Sequence, residues 1–277
     1  MFTLAKNSLG FEVKDKTYGL QDRGISPKGA SDQLSFNIAK TLLGEPKNFR
    51  CFEIIFTSKI YFDKDCVFTL TGAHYKKMYL HDKGEKLLLE HSCVYKAKKG
   101  NFISIYQLQK GFRLYLMSSE EKISLKNEGL RRGEFSKYFS KSPSYIRLIK
   151  GPEFHYLKNS NDFFANPFKI SMDSNLMGLR LISAKIQASK YDIVSSSVDD
   201  GTVQLTQDGA IALLRHRQTT GGYPRIFSVI QADIDTLSQY PLGSYVHFKL
   251  IKMSEAKELL LYKENELRNF KQSVLKI

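Results

Sequence analysis

The ten residues from Arg217 to Ile226, RQTTGGYPRI, carry the side chains best suited to chemistry in this sequence. They lie between two apolar runs, AIALL and FSVIQA, that are typical of strands. Arginine forks bind carboxylates and phosphates, threonine hydroxyls donate hydrogen bonds, and glycine amides can surround an anion. A hairpin turn needs only two residues. The stretch therefore predicts an anion-binding cradle. The alternative interpretation is a glycine-rich hairpin with solvated arginines.

The two glycines of this stretch have a specific predicted role. Gly221 and Gly222 can adopt positive φ and let backbone amides approach a ligand closely. Tyr223 can hold a planar group or donate a hydrogen bond, and Pro224 stiffens the connection. We therefore expect a nest of amides at the two glycines.

Two further stretches combine polar side chains with turn residues. YGLQDRGISPKGASD, residues 18–32, precedes a predicted helix, whose N-terminal amides suit an anion. LIKGPEFHYL, residues 148–157, places Glu153 and His155 after a tight strand end. Each stretch has a plainer interpretation, a capped polar loop for the first and an ordinary turn with a surface glutamate for the second.

Strand patterns dominate the rest of the chain. Short β-branched or aromatic runs bounded by turn residues are FEIIFTSKIYF, CVFTLTGAHY, KLLLE, FISIYQL, FRLYLM, YIRLIKG, AIALLRH, IFSVIQA and YVHFKLI. So many short strands predict a mainly β fold of barrels or sandwiches with a few short helices. A polar stretch, residues 134–145, separates the two strand-rich halves and predicts a domain boundary there.

Three helices are predicted among these strands. In the first, Ser31 or Asp32 is the cap, Leu34, Ile38 and Leu42 share one face, and Gly44 ends the helix. A short helix near ADIDTLSQY turns Ile234 and Leu237 inward. The last begins near Ser254 and packs on a barrel through an apolar stripe, whose members are Ala256, Leu260, Leu267, Phe270 and Val274.

Length and composition limit the class of protein. The 277 residues, 42% of them hydrophobic, suffice for one large domain or two ordinary ones. The cysteines (Cys51, Cys66 and Cys93) are widely spaced, which favours a reducing compartment over a disulfide framework. No apolar run approaches the ~20 residues of a membrane helix, and a signal-peptide pattern is absent. We expect a cytoplasmic protein that does not bind membranes.

The net charge of +14 comes from lysines scattered among acidic residues. Without a nucleic-acid-binding motif, this charge indicates a solvated surface, and a nucleic-acid binder is the last of the alternatives. The sequence contains no Walker loop, dinucleotide fingerprint, HEXXH or GXSXG pattern, and its histidines lack metal-binding spacing, so no metal site is predicted. Any chemistry must use an uncommon site or one shared with another chain.

Several stretches together resemble one known family. They are LQDRGISPKGASDQLSFNIAKTLLGEPKNFRCFEI, FTLTGAHY, IKGPEFHYL, NLMGLRL and the segment from Gly201 to Phe248, in which QTTGGYP is the most specific block. The sequence is similar to the biotin-dependent carboxyltransferase-like family over nearly the whole chain. That family includes the C component of bacterial 5-oxoprolinase, the antagonist of a sporulation kinase inhibitor, and a carboxyltransferase part of urea carboxylase.

The resemblance implies a fold, an activity and partners. The fold would be two tandem cyclophilin-like β-barrel domains, residues 1–140 and residues 141–277 with the terminal helix. The activity would be that of the C component in an ATP-dependent 5-oxoprolinase complex, which opens the small molecule 5-oxoproline to L-glutamate. The B component, a homologue of the kinase inhibitor, and the A component would be its partners. ATP with Mg²⁺ would act at the level of the complex, and no cofactor is expected to be covalently bound.

The site residues predicted from these patterns and the resemblance fall into two groups. Arg225, Tyr223 and Thr220 are assigned to catalysis. Residues assigned to substrate or phosphate binding are Gln21, Asp22, Arg23, Lys28, Gln204, Gln218, Thr219, Gly221 and Gly222, with Glu53 as a weaker candidate.

The sequence also departs from the family pattern. Family members have an aspartate where this chain has His216, an arginine where it has Leu176, and an Ala-Gly-Gly run where it has residues 117–120. A protonated histidine would reverse the local charge preference of the missing aspartate. Two alternative functions therefore remain open. One is a regulatory protein that binds a kinase-inhibitor homologue. The other is a carboxyltransferase of the urea carboxylase or allophanate type, which uses biotin carried on another chain.

Overall fold

The computed structural model describes residues 2–121, 144–183 and 186–275. These residues form two compact units. Unit 1 comprises the described residues within Met1–Lys14, Asp32–Ser140 and Glu264–Ile277, and unit 2 those within Asp15–Ser31 and Lys141–Lys263. The predicted boundary at 134–145 lies mostly in residues 122–143, outside the described part of the chain. The division into 1–140 and 141–277 stays a prediction.

Unit 1 is built on an eight-stranded sheet. Its strands are β1 (Phe2–Leu4), β2 (Leu9–Val13), β3 (Arg50–Phe56), β4 (Lys59–Phe62), β5 (Cys66–Asp82), β6 (Glu85–Leu88), β7 (Val94–Ala97) and β8 (Phe102–Ser119). β8 pairs with β3, β4 and β5, all antiparallel. Because β5 and β8 are long, the sheet can curve around one core, which includes Phe68, Leu70 and Leu116.

The runs FISIYQL and FRLYLM form the single strand β8, so their prediction as two strands is wrong. Gln107 and Gly111 have φ of 54° and 84° inside this strand. The pairing with β5 shifts register on either side of His74. Residues 109–111, between the two predicted runs, therefore belong to one bent strand that contains local irregularities.

Helix α1 (Gln33–Leu42) follows its sequence pattern. Asp32 is the cap, because its Oδ1 accepts a hydrogen bond from the Ser35 amide at 2.9 Å and its Oδ2 one from the Ser35 hydroxyl at 2.6 Å. Ile38 and Leu42 are buried. Gly44, with φ of 75°, lies just after the helix and confirms the predicted end.

Glu53 lies in a buried polar cluster of unit 1. Its carboxylate accepts hydrogen bonds from Arg113 Nε at 2.7 Å and from the Tyr115 hydroxyl at 2.8 Å. The same hydroxyl accepts one from the Asp32 amide at 2.9 Å. Burial, followed by the charge of Glu53, raises the pKa of Tyr115 well above its usual range. These contacts give Glu53, fully buried, a structural role at the start of α1.

Unit 2 contains a second eight-stranded sheet, in the order β17-β10-β11-β14-β13-β16-β9-β18, and a two-stranded sheet, β12-β15. The strands are β9 (Ile146–Lys150), β10 (Phe168–Ile170), β11 (Gly178–Ile182), β12 (Ser196–Ser197), β13 (Thr202–Thr206), β14 (Gly209–Leu213), β15 (Thr220–Gly221), β16 (Arg225–Val229), β17 (Tyr245–Val246) and β18 (Phe248–Leu250). Only His247 separates the two outer strands β17 and β18, so the sheet is nearly closed on itself. The run YVHFKLI was predicted as one strand, but it forms both β17 and β18, with His247 between them.

Two barrel-like sheets confirm the predicted mainly β fold. Unit 2 adds helices α2 (Ser160–Ala165) and α3 (Ile234–Ser238), and α4 (Met253–Leu275) ends the described chain. Ile234 and Leu237 are fully buried, and in α4 Ala256, Phe270 and Val274 are buried, as predicted. In the described residues, no helix combines the length and apolar character that crossing a membrane requires.

The thiols provide a first test of this packing. Cys51, Cys66 and Cys93 are buried thiols that form no disulfide. Burial raises the pKa of Cys66 to about 12 and also raises the pKa of Cys93. Because the thiolate is the reactive form, we expect almost no reaction with a disulfide reagent at pH 8 in the native protein. All three thiols should react in denaturant, which is the control. Rapid stoichiometric labelling of the native protein would contradict this packing.

Candidate functional site

The connection that contains TTGGYP belongs to unit 2 and is not a hairpin. β14 ends at Leu213 and β16 begins at Arg225, but β13 lies between them and pairs with both. The connection must therefore cross β13. On the way, Thr220 and Gly221 pair with the short strand β12. The hairpin interpretation is wrong, and the crossing explains why the connection is longer than a turn.

Gln204 of β13 is the buried residue that this connection covers. Its Nε2 donates to the Tyr223 carbonyl, and its Oε1 accepts from Gln218 Nε2, each at 3.4 Å. A Cβ on Gly221 would lie 2.5 Å from Gln204 Nε2. Neither Gly221 nor Gly222 has positive φ, so the predicted left-handed nest is wrong. Gly221 is required by the close approach to Gln204.

Alanine substitutions at Gly221 and Gly222 should show whether glycine is required because of the contact with Gln204. Gly221→Ala must displace the Gln204 amide, and we expect it to lower the free energy of unfolding by about 2 kcal/mol. Gly222→Ala is the matched control, because its Cβ would meet its nearest neighbour, the Ile193 carbonyl, at 3.5 Å. We expect a change within about 0.5 kcal/mol there. Urea denaturation measures both. Equal effects at the two positions would show that the Gln204 contact is not the cause.

Arg225 is held by Glu153, which brings two of the three polar stretches together. Its Nε and Nη2 donate to the two carboxylate oxygens at 2.8 and 2.7 Å, and its amide donates to Oε2 at 3.0 Å. Arg225 Nη1 donates to the Ser197 carbonyl at 2.8 Å. The hydrogen bonds from Arg225 lower the pKa of Glu153. The fork is engaged within the protein, and direct contact of Arg225 with a substrate remains a prediction.

The segment 18–32 does not present its polar residues to a helix N-terminus. Gln21, Asp22 and Arg23 form a 3₁₀ turn, and the start of α1 is closed by the carboxylate of Asp32. Asp22, Arg23 and Lys28 are exposed. Lys28 has φ of 52°. Of the four residues predicted here, Gln21 lines the unit 2 cavity described below.

His216 is anchored to the backbone of the same segment. Its Nε2 lies 2.9 Å from the Gly29 carbonyl oxygen, and because a carbonyl only accepts, Nε2 carries the hydrogen. An aspartate carboxylate, the side chain of the family pattern, accepts only and could not make this hydrogen bond. The substitution therefore changes the local hydrogen bonding as well as the charge.

A buried charge network lies beside this connection, and the sequence interpretation did not include it. Arg215 donates to the Ser31 carbonyl at 3.1 Å, to Asp200 at 3.1 Å and to Asp235 at 2.7 Å. Lys263 pairs with Asp235 at 2.8 Å. Burial alone would raise the pKa of Asp235, but Lys263 and Arg215 hold it well below its usual range. Two sequence features could have indicated this network. They are Arg215, directly after the apolar run AIALL, and the turn residues around Asp200.

A cavity of about 460 Å³ in unit 2 borders this network. Its polar lining includes Lys16, Gln21, Asp200, Arg217 and Gln231. Side chains from the segment 15–31, from the Asp199–Asp200 turn and from the polar connection thus meet at one cavity. The remaining predicted residues lie apart from its lining. Tyr223 and Thr220 are exposed, and the Thr219 carbonyl accepts from the Val198 amide at 3.0 Å.

The tandem barrel-like sheets and the polar connection are those of a carboxyltransferase domain. The sequence matches the family described as carboxyltransferase domain, subdomain A and B, over residues 23–122 and 118–250, and the chain belongs to this family.

Among its relatives is the C component of the 5-oxoprolinase of Escherichia coli (strain K12). It is 28% identical, over 92% of this chain and 91% of the relative. The Haemophilus influenzae protein of the same name is 26% identical over 87% of this chain and 88% of its own length.

Solved structures share the fold. The urea carboxylase of Kluyveromyces lactis superposes with a TM-score of 0.80 at 18% identity, over 99% of this chain and 29% of the enzyme. The K. lactis urea amidolyase gives 0.78 at 17% identity, over 97% of this chain and 20% of that one. This chain therefore corresponds to a minor part of those large enzymes, and the likeness concerns the fold alone.

Proposed function

We propose that this protein is the C component of an ATP-dependent 5-oxoprolinase complex that opens 5-oxoproline to L-glutamate. The observation that carries the proposal is 28% identity to a protein named as the C component of 5-oxoprolinase, over 92% of this chain. Because the match covers nearly the full length of both proteins, it includes both units.

The proposed chemistry suits an anion-binding site. A lactam carbonyl is a poor electrophile, so its oxygen first takes the γ-phosphoryl group of ATP and ADP leaves. Water then adds to the activated carbon, the C–N bond breaks and phosphate departs, which leaves glutamate. Positioning and charge stabilisation dominate phosphoryl transfer. We assign ATP and Mg²⁺ to the assembled complex rather than to particular residues of this chain.

This chain would contribute polar contacts from unit 2. Arg217 and Gln21 line the cavity, and Tyr223 and Thr220 are exposed on the neighbouring connection. Arg217 is buried and ion-paired, and hydrogen-bond donors fixed in this way stabilise charge without reorganisation during the reaction. Gln204 and Gly221 would act by holding the connection in place. The B and A components would supply the remaining groups. The cytoplasm is the proposed location, and thiols that form no disulfide are consistent with a reducing compartment.

A reconstitution tests the proposal. The protein is mixed with the A and B components from the same organism, then ATP, Mg²⁺ and 5-oxoproline are added and glutamate is assayed. We expect glutamate only when all three proteins are present. Omission of ATP and omission of this chain are the controls. Equal glutamate formation with and without this chain would contradict the proposed function.

A regulatory role is the second candidate. His216 binds a backbone carbonyl where the family pattern has an aspartate, and the Arg225 fork is engaged by Glu153. Both features leave fewer groups for a substrate. In this case the protein would bind the kinase-inhibitor homologue without chemistry. A stable complex with the B component that forms no glutamate would favour this function over the first.

A further inference from the structure

The cavity in unit 2 combines polar and apolar walls. Lys16, Gln21, Asp200 and Arg217 supply polar groups, and the apolar side chains of Ile149, Val229, Ile230 and Leu260 lie in the same lining. A volume of about 460 Å³ is that of a small-molecule site. The lining therefore suits a compact ligand with one charged end and an aliphatic part.

Three cations lie close to one carboxylate beside this cavity. Asp200 faces three cations: Lys16 at 3.6 Å, Arg215 at 3.1 Å and Arg217 at 3.1 Å. Arg215 also pairs with Asp235, but Asp235 is shared with Lys263. Lys16, Arg215 and Arg217 thus surround Asp200, and Asp235 lies between Arg215 and Lys263. The other carboxylate near Arg217, Asp199, is 3.6 Å away with a side chain 90% exposed.

The same cluster acts on Lys16. Burial, followed by the positive charge of Arg215, lowers the pKa of Lys16, and Asp200 and Asp235 offset only part of that lowering. An added negative charge in the cavity would therefore be stabilised by groups already in place, because they are desolvated and fixed.

Two buried polar atoms of cavity-lining residues make no hydrogen bond to any other described residue and face each other instead. They are Arg217 Nε, a donor, and Asp200 Oδ1, an acceptor. Both side chains line the cavity, and Arg217 is 5% exposed. The two atoms lie 3.1 Å apart as an ion pair. A ligand with a carboxylate beside an N–H group would match an arginine and a carboxylate that line the cavity this close together.

We propose that this cavity binds a small cyclic amide acid, its carboxylate between Lys16 and Arg217 and its amide N–H directed to Asp200. The identity of the acid, 5-oxoproline, rests on the proposed function. 5-Oxoproline carries its carboxylate on the carbon next to the lactam nitrogen, and its ring methylenes would face the apolar lining. The segment 15–31 thereby gains a role through Lys16, a residue outside the predicted site.

Calorimetric titration of the full chain tests this site. The ligands are 5-oxoproline and 2-pyrrolidinone, which is the same ring without the carboxylate. The variant is Lys16→Met, and Lys86→Met on the exposed strand β6 of unit 1 is the matched control. We expect pyrrolidinone and Lys16→Met each to weaken binding about tenfold or more, since a charge-assisted hydrogen bond is lost. Lys86→Met should bind 5-oxoproline as the original protein does.

The reconstituted complex gives an independent measurement. There, Lys16→Met should raise the KM for 5-oxoproline about tenfold while the components still assemble. Unchanged binding and unchanged KM in a folded Lys16→Met protein would overturn the inference, as would equal binding of pyrrolidinone. Competition of inorganic phosphate or ATP with 5-oxoproline, lost in Lys16→Met, would reassign the site to a phosphate and also overturn it.

Failure of this inference is distinguishable from failure of the proposed function. Lys16-dependent binding of 5-oxoproline without glutamate formation would support the binding site and contradict the proposed activity. Glutamate formation with a KM that does not depend on Lys16 would keep the activity and overturn the site.

Discussion

Arg215→Met is expected to lower the free energy of unfolding by about 3 kcal/mol, because it leaves buried carboxylates short of a partner. Arg215 is 4% exposed and bridges Asp200 and Asp235. The control is Arg50→Met, since Arg50 pairs with Glu12 at 3.2 Å but both side chains are over a third exposed. Such surface pairs contribute about 0–1 kcal/mol. Urea denaturation with a near-ultraviolet signal measures both, and equal losses would show that burial of the network is unimportant.

The difference in the free energy of unfolding between the original protein and Arg215→Met should also depend on pH. The folded-state pKa of Asp235 is held well below its usual value, so its contribution to stability is present above the unfolded-state pKa of about 3.9. That contribution is lost as the pH falls through the lower folded-state pKa. Removal of Arg215 raises the folded-state pKa of Asp235. The difference in the free energy of unfolding between the original protein and Arg215→Met should therefore be largest at neutral pH and should decrease below about pH 4. A difference independent of pH would contradict the electrostatic explanation.

Gly151→Ala is expected to destabilise the protein by about 3 kcal/mol, at the upper end for an overpacked site. A Cβ on Gly151 would lie 2.1 Å from the Arg225 carbonyl oxygen and 2.8 Å from its carbon. These are backbone atoms of β16 and cannot rotate away. The strand end must open, which loses the hydrogen bond from the Gly151 amide to the Ile226 carbonyl at 2.9 Å and loosens the Glu153–Arg225 pair.

Thermal unfolding and the reconstituted activity both report on this variant. For thermal unfolding, Gly222→Ala, which has ordinary clearance, is again the control. Glutamate formation should fall in Gly151→Ala even at temperatures where the protein is folded, because the connection that follows β14 loses its anchor at Arg225. Full activity with normal stability would show that the 151–153 turn does not position the site.

The sequence allowed the mainly β fold and the helix ends to be predicted, because these depend on local patterns. The cap at Asp32 and the stop at Gly44 are examples. The single long strand β8 was missed, because Lys110 and Gly111, between the two runs, look like turn residues when their partner strand is unknown. Closure of the second sheet at His247 likewise depends on pairing with distant strands.

The candidate site was predicted only in part. The TTGGYP stretch was predicted as a site from its residue types. Its requirement for glycine comes from the contact between Gly221 and Gln204, which are distant in sequence. Arg225 looked available to a ligand because sequence does not show that Glu153 reaches it. Lys16, Asp200 and Asp235 are ordinary surface residue types, and only folding places them beside buried arginines.

The pairing of strands also constrains how the protein folds during synthesis. In unit 2, β9 at residue 146 pairs with β18, which ends at Leu250, so the barrel cannot close until that late segment has left the ribosome. Unit 1 begins at the N-terminus but includes residues of Glu264–Ile277, among them buried Phe270 and Val274. Both barrels are thus completed by the last part of the chain. A nascent chain stopped before Glu264 would expose apolar surface of its first unit to chaperones and proteases.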